Sequence, residues 1–324
     1  MLDGEVTRLL AMPSVRANLG LKASYWLGTE ALPTKIKNSA MFPEYTASVK
    51  AALYTSVKSF IDDVVWNGHL DDLFTSQKVF ANAELGTLYG LPGASGTALS
   101  PVTVTAPERS AGILTQPGML ATANKWDGPG DPIHRGLFVY NALICGGNAG
   151  KIGDPPANAA EIAAKMTGTE REKAAQRAKL SCGGCHSLMD PLGLTFERYD
   201  SIGRYSDSRY VYRDQQDNNA LSWRTSPAPI DTSSILSDNL GLDIAGPVAG
   251  LNDLAQRLHQ LSRRVAHCAG TNMAKFSIGH DPAAENSCAL QQAKETFYKT
   301  GSFSAFFRAF ATSPGFLTRD PGTK

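Results

Sequence analysis

The sequence lacks any hydrophobic run approaching the roughly 18 apolar residues that a membrane-spanning helix needs. Residues 1–5 (MLDGE) also lack the basic and then apolar pattern of a secretory signal. No excess charge of either sign is present: 31 basic and 30 acidic residues leave a net charge of +1, so nothing indicates a nucleic-acid or anionic-membrane partner. Walker loops, nucleotide fingerprints, nucleophile elbows and zinc-protease motifs do not occur. Function must therefore be sought in local clusters of residues.

Cysteine and histidine are scarce, with five Cys and six His in 324 residues, yet three of them fall within residues 182–186 (CGGCH). A random chain of this composition contains roughly 0.001 such patterns, which is the spacing of covalent c-type haem attachment. In that chemistry two thiols add to the two vinyl groups of one porphyrin, and the next imidazole reaches the iron. The sequence predicts one covalent haem c, attached at Cys182 and Cys185, with His186 as the proximal iron ligand.

Two other interpretations of this motif stay open. A zinc site needs four ligands, usually in paired clusters, but no second C-x-x-C exists, and Cys145, Cys268 and Cys288 would have to converge by folding. A thioredoxin-like redox pair needs a βαβ context, which the sequence around position 182 does not indicate. Both interpretations fit the sequence less well than haem.

Covalent haem is attached in bacteria outside the cytoplasmic membrane, which conflicts with the missing signal sequence. We therefore expect a mature form or a fragment whose export signal lay upstream, and a location in the periplasm or at the cell surface. In such an oxidising compartment Cys268 and Cys288 could form a disulfide, which would leave Cys145 unpaired.

The periodicity of apolar residues predicts a mainly α fold. Residues 48–66 carry an apolar stripe at steps of three and four, typical of an amphipathic helix. Residues 203–240 differ, because tyrosines are followed by polar and proline-containing sequence, and we expect a hairpin or extended insertion there. Further helices are expected over 110–123, 132–145, 157–181 and from 250 onward.

Two of these helices frame the haem motif. The helix over 132–145 begins at Asp131-Pro132, with a capping carboxylate and a proline at the first helical position. The helix over 157–181 leads into the motif, so the cysteines are expected at the end of a helix. Beyond the motif, residues 190–193 (DPLG) are interpreted as a turn that carries the chain off the haem face, with a role in shape rather than chemistry.

The segment after the motif reads SLMDPLG over 187–193 and FERYDSIGRY over 196–205. Together with the CGGCH motif it resembles the planctomycete-type cytochrome c-like family, exported multi-module bacterial proteins of mostly unknown function. Other blocks resemble the same family in order: FANAEL at 80–85, YGLP at 89–92, GILTQ at 112–116, PIHRG at 132–136, and the C-terminal segment from Cys268 to Arg319. The resemblance covers nearly the whole chain and is loosest over 203–240.

The resemblance implies helical modules with a cytochrome c-like haem-binding module among them. We predict an N-terminal helical module over 1–100, the haem-binding module over 101–245 and a C-terminal helical module over 246–324. It also implies electron transfer outside the cytoplasmic membrane, with a redox partner protein.

Three further residues are candidates for contact with the haem. His134 opens a helix in the segment that the family places beside the haem module, and we predict it as a distal iron ligand or distal-pocket group, against the alternative of an ordinary hydrogen-bonded histidine. Arg135 and Arg204 can each offer a planar guanidinium to a haem propionate. The alternative for Arg204 is a salt bridge with Asp200 or Glu197.

The leading functional hypothesis is a single-haem electron carrier. The chain is about three times as long as a haem module of roughly 100 residues requires, which suggests docking surfaces or a substrate pocket. A peroxidase-like haem oxidoreductase, with His134 or Arg135 as the distal acid-base or polarising group, is therefore the second hypothesis. The third is a structural protein of the envelope that holds a haem while its helical modules assemble with other envelope proteins.

Overall fold

A computed structural model describes residues 2–124, 130–146, 152, 157–213, 221–278 and 288–317. The fold is mainly helical, with 59% helix and 9% strand, as the apolar periodicity predicts. None of the helices in these ranges combines the length and apolar character that crossing a bilayer requires. The α-helices are α1 (Leu2–Leu10), α2 (Pro13–Leu27), α3 (Ala47–Asn67), α4 (Asp72–Thr75), α5 (Ala83–Tyr89), α6 (Pro117–Thr122), α7 (Pro132–Leu137), α8 (Ala159–Ala164), α9 (Glu170–Arg177), α10 (Gly183–Leu194), α11 (Leu251–Gln260), α12 (Ser262–Ile278), α13 (Cys288–Thr300), α14 (Phe303–Ala311) and α15 (Pro314–Leu317).

The strands of the described residues form three separate antiparallel pairs, and no barrel. The middle pair lies within 203–240, where the sequence predicts a hairpin or an extended insertion, and residues 214–220 between its two strands lie outside the described residues. The last pair lies beside α10 and contributes to the site. The pairs are β1 (Lys78–Ala81) with β2 (Ser100–Thr103), β3 (Arg209–Arg213) with β4 (Leu221–Thr225), and β5 (Ser234–Leu236) with β6 (Gly246–Val248).

The largest hydrophobic core of the described residues is one continuous cluster. The predicted stripe of α3 faces it, because Leu53, Val57 and Phe60 are buried in it. The same cluster includes Leu192 of α10 and Phe306 of α14, so residues from all three predicted modules share it. The division into three modules stays a prediction about the organisation of the sequence.

The segment predicted as one helix over 157–181 is two helices, α8 and α9. The break has a local cause: Gly168 adopts a φ of 93°, in the left-handed region that favours glycine, and Thr169 then caps α9 in a capping box with Glu172. Because α9 already ends at Arg177, the cysteines do not lie at the end of a helix. Cys182 instead directly precedes α10.

Helix α10 also includes residues 190–193, so the predicted turn there is wrong. This segment is held in helical form by close packing against α7, which begins at the predicted Asp131 cap. A Cβ atom on Gly193 would lie 1.7 Å from the Pro132 carbonyl oxygen, and one on Gly136 would lie 2.0 Å from the Met189 carbonyl oxygen. Glycine at both positions therefore lets the two backbones touch.

The predicted disulfide between Cys268 and Cys288 is wrong. Cys268 of α12 pairs with Cys145, and the two Cα atoms lie 5.5 Å apart. A π-helical turn over Phe138–Leu143 packs against α12 and places Cys145, which has a φ of 49°, beside Cys268. Cys288 is exposed at the start of α13 and has a free thiol. The paired residues are 123 positions apart, so local sequence gives no sign of their contact.

Candidate functional site

The CGGCH motif forms the beginning of α10. Cys182 has helical dihedral angles, and the backbone N–H of His186 donates to its carbonyl oxygen at 3.2 Å. Residues at i, i+3 and i+4 share one face of a helix, so the two thiols and the imidazole lie on the same side. Cys182 is half-buried and Cys185 is exposed, so a reagent can reach both thiols. Gly183 lies close to the preceding turn, since a Cβ there would approach the Ala178 carbonyl oxygen to 2.6 Å.

One turn further along α10, Asp190 accepts a hydrogen bond from His186. The distance from His186 Nδ1 to Asp190 Oδ1 is 2.9 Å, and the Asp190 side chain is 5% exposed. An ionised carboxylate can only accept, so Nδ1 carries the proton and the lone pair of Nε2 is left for a metal. Asp190 therefore contacts the imidazole of His186, and its interpretation as a residue of shape alone did not include this contact.

Asp190 is in turn held by a buried cation. Arg177 Nε donates to Asp190 Oδ2 at 2.8 Å, and both side chains are almost completely buried. Arg177 Nη1 also lies 3.8 Å from Glu170 Oε2, and Glu170 pairs with Lys173 at 3.0 Å. Burial raises the pKa of Glu170, while the two cations oppose that shift. His186 thus stands at one end of a buried chain of alternating charges.

A cavity of about 960 Å³ lies beside His186, at the upper end of the range for cofactor pockets. Four elements form its walls: α9 with the residue that follows it, α10 from His186 onward, the β5–β6 hairpin and the first turn of α11. Most of its walls are apolar, and Ile235 of the hairpin is 72% exposed. The apolar lining side chains include Ala174, Ala175, Ala178, Pro191, Leu194, Ile235 and Val248.

Arg171 of α9 ties the hairpin to the helices. Its Nη2 donates to the carbonyl oxygens of Asp231 and Ser233, at 2.8 and 2.9 Å, and lies 3.1 Å from Glu197 Oε2. These contacts link α9, the segment after α10 and the chain that enters β5. They fix the distance between the walls of the cavity.

A second, smaller cavity of about 270 Å³ also reaches Arg171. Glu197 lines it, and burial raises the pKa of this carboxyl to about 7 against the opposing effect of Arg171. The neighbouring Glu170 adds to the rise, because two carboxylates in one buried region repel each other.

The residues at the larger cavity fit a c-type haem. His186 lines the cavity, and Cys182 and Cys185, which do not line it, precede His186 on the same face of the helix. The apolar walls and the exposed Ile235 offer surface for a macrocycle. Within the described ranges no group of three His, Cys, Asp or Glu side chains is arranged to chelate a metal ion. An iron porphyrin needs only axial ligands from the protein, because the macrocycle holds the iron in its plane.

Arg135, a predicted propionate ligand, is buried, and its guanidinium serves the backbone. Its Nη1 donates to the carbonyl oxygens of Phe196 and Tyr199, at 3.2 and 2.6 Å, and its Nη2 donates to that of Asp200. Burial lowers the pKa of Arg135 to about 10. The structure does not place Arg135 on the large cavity, and a propionate contact would require these bonds to be released.

His134 lies with its Nδ1 2.8 Å from Asp131 Oδ2, and its side chain is 37% exposed. The side chains that line the large cavity do not include it, so its role as a distal ligand stays a prediction. Arg204 donates from Nε to Asp200 Oδ2 at 2.7 Å and lies 3.0 Å from Glu44 Oε1. The structure thus shows the salt bridge with Asp200, and the propionate role of Arg204 also stays a prediction.

The sequence interpretation missed Asp190, Arg177 and Arg171. One signal was present for Asp190, since an aspartate four residues after a histidine on a helix can reach its ring. Nothing local marks Arg177, because its pairing with Asp190 depends on how α9 packs against α10. The walls of the cavity could not be predicted either, because Ile235 and Ala178 are 57 positions apart in the chain.

Residues 110–209, which include the CGGCH motif, match the family model PSCyt3, described as a protein of unknown function (DUF1588). Residues 1–91 match the family model PSD4, also described as a protein of unknown function (DUF1592). Both are planctomycete cytochrome-like domain families, in agreement with the resemblance drawn from the sequence. Neither a curated protein nor a solved structure gives a significant match. The family descriptions thus support the kinship and name no ligand or activity.

Proposed function

We propose that this chain is a single-haem c-type cytochrome that transfers electrons. Haem is attached through thioether bonds to Cys182 and Cys185, and His186 Nε2 is an axial ligand of the iron. One observation carries the proposal: two accessible thiols and an imidazole lie on one helical face, and that imidazole lines an apolar cavity of about 960 Å³. The agreement of two matched segments with cytochrome-like families supports it.

The residues around the cavity have separate tasks in this proposal. Asp190 holds the imidazole of His186 in one orientation and one tautomer. The apolar side chains Ala178, Leu194 and Ile235 pack against the macrocycle and exclude water from it. A bound haem c would supply a one-electron ferric-ferrous couple, which transfers electrons between proteins with no transfer of atoms.

The proposal also includes a location and a partner. Covalent haem attachment in bacteria takes place outside the cytoplasmic membrane, and the family that the chain resembles is exported. We therefore place the working protein in the periplasm or at the cell surface, with a redox partner protein as donor or acceptor. The alternative of an envelope assembly protein would require stable association with other chains.

A haem oxidoreductase is the second candidate. Among the described residues that line the cavity, His186 is accompanied by no second histidine and no methionine. The sixth position of the iron decides between the two functions, because a protein ligand there favours electron transfer while a free position binds small oxidants. The response to carbon monoxide distinguishes them.

The test uses the full chain, exported together with a haem-attachment system. We expect haem staining that persists on a denaturing gel and a sharp reduced α band. The variant Cys182→Ala with Cys185→Ala should lose the covalent stain, whereas Cys288→Ala, which removes the exposed free thiol of α13, should keep it. Absence of haem from the wild-type protein would reject the proposal.

Spectra recorded with carbon monoxide complete the test. A reduced spectrum that carbon monoxide leaves unchanged indicates six-coordinate iron and supports electron transfer. A shift of the Soret band on addition of carbon monoxide indicates an open position and would replace electron transfer by the oxidoreductase alternative.

A further inference from the structure

We infer that Asp190 and Arg177 together set the reduction potential of the iron through His186, with Asp190 favouring the ferric state and Arg177 moderating that effect. Both act as positioning residues, because neither touches the iron. The inference rests on the proposed function and adds to it the control of the potential at the same site. It follows from the contacts of three side chains on α9 and α10.

A buried carboxylate faces the imidazole of His186. The Nδ1 of His186 lies 2.9 Å from Oδ1 of Asp190, an almost completely buried carboxyl group whose other oxygen pairs with Arg177. A hydrogen bond to a charged acceptor is about twice as strong as a neutral one, and a buried site with low dielectric strengthens it further. Such a bond moves the N–H proton toward the carboxylate and makes Nε2 a more basic ligand. A more basic axial ligand stabilises ferric over ferrous iron and lowers the potential.

A buried cation, Arg177, pairs with the same carboxylate. Arg177 Nε donates to the other oxygen of Asp190 at 2.8 Å, so the carboxylate shares its negative charge between two donors. This competition weakens the pull of Asp190 on the imidazole proton. The Arg177 side chain is 7% exposed, so water screens its charge little. The two residues therefore act on the potential with opposite signs.

Arg177 could change the potential through Asp190 and His186, or merely because its charge lies near the iron. A distant charge shifts the potential by the same amount whether or not Asp190 is present. If Arg177 acts through Asp190, its effect disappears once the carboxylate is gone. A double-mutant cycle measures this difference.

The experiment is a spectroelectrochemical titration of the haem-loaded full chain. Asp190→Asn keeps an acceptor for Nδ1–H but removes the charge, and we expect at least a tenfold shift of the ferric-ferrous equilibrium toward ferrous iron, which is about 59 mV upward for a one-electron couple. Arg177→Gln should lower the potential. In the Asp190→Asn background, Arg177→Gln should change the ferric-ferrous equilibrium constant by less than twofold. Asp190→Glu, which keeps a carboxylate, should have a lower potential than Asp190→Asn.

The matched control is Asp253→Asn. Asp253 also lines the cavity, but it pairs with Arg257 and not with His186. We expect Asp253→Asn to shift the ferric-ferrous equilibrium constant by less than threefold, in contrast to Asp190→Asn. Circular dichroism and the haem stain verify that each variant folds and carries haem. If Asp190→Asn alone does not fold because Arg177 is left unpaired, the double variant, which removes both charges, still decides: it should have the raised potential.

Several results would overturn the inference. These are an Asp190→Asn shift no larger than that of Asp253→Asn, equal signs for the Asp190 and Arg177 variants, or strictly additive shifts in the cycle. A wild-type protein without haem would instead refute the proposed function itself. A haem-loaded protein with an unshifted potential in Asp190→Asn would refute the positioning role alone.

Discussion

The two sides of α10 meet the rest of the molecule in different ways. Toward α7 the backbones touch at Gly136 and Gly193, where a Cβ atom would find no room. Toward α9 and the β5–β6 hairpin the contact is made by side chains, among them the Arg177–Asp190 pair, and a cavity of about 960 Å³ lies beside them. The contact with α7 thus fixes the backbone of α10, while side chains on its other side hold His186 next to the cavity.

Buried arginines show the same contrast. On the α7 side Arg135 donates to three carbonyl oxygens and stabilises the turn after α10. On the cavity side Arg177 pairs with the carboxylate that holds His186. Two residues of equal chemistry thus serve the backbone in one place and the candidate iron ligand in the other.

The largest effect on stability is expected where the backbones touch. Gly193→Ala places a methyl group 1.7 Å from the Pro132 carbonyl oxygen, so α7 and α10 must separate. We expect a loss of about 3 kcal/mol in the free energy of unfolding, measured by urea denaturation. The control is Gly184→Ala in the same helix, where a Cβ meets nothing within 4 Å and stability should rise slightly. Equal behaviour of the two variants would contradict the close contact.

The next effect depends on pH and lies at the smaller cavity, at the C-terminal end of α10. The pKa of Glu197 is raised from 4.5 to about 7 in the folded protein, so the folded state holds a proton that the unfolded state has released. Its contribution to stability is present below pH 4.5 and is lost as pH rises to about 7, by up to about 3 kcal/mol.

Glu197→Gln should remove this dependence. Thermal unfolding midpoints recorded between pH 4.5 and 8 should fall less with pH for the variant than for the wild type. Glu161→Gln, which changes an exposed carboxyl of α8, should leave the wild-type profile intact. A wild-type profile that Glu197→Gln does not flatten would show that the carboxyl is not buried as described.

The smallest effect on stability is expected on the open side, together with a large effect on haem. Ala178→Trp adds a bulky side chain to an exposed position that lines the cavity. The free energy of unfolding should change by no more than about 0.5 kcal/mol, while haem content should fall at least tenfold. Lys179→Trp, one position along and outside the lining, should load haem normally. Full loading of Ala178→Trp would mean that haem does not occupy this cavity.

Local patterns allowed several elements to be predicted from the sequence. The stripe of α3, the Asp131 cap of α7 and the β3–β4 hairpin depend on residues close together in the chain, and all three are confirmed.

Contacts between distant elements could not be predicted. Pro191 within a DPLG sequence favours a turn, yet the packing of Gly193 against α7 keeps this segment helical. Arg135 has the chemistry of a propionate ligand, and only the folded chain shows that backbone carbonyls already occupy it. The Cys145–Cys268 disulfide likewise depends on the packing of α12.

The disulfide between Cys145 and Cys268 closes a covalent ring that contains the CGGCH motif and the residues that line the larger cavity. A single proteolytic cut within the ring, for example near the β3–β4 hairpin, therefore leaves the two products joined until a reductant is added. The disulfide uses the buried Cys268 and leaves Cys182 and Cys185, which are more accessible, as free thiols.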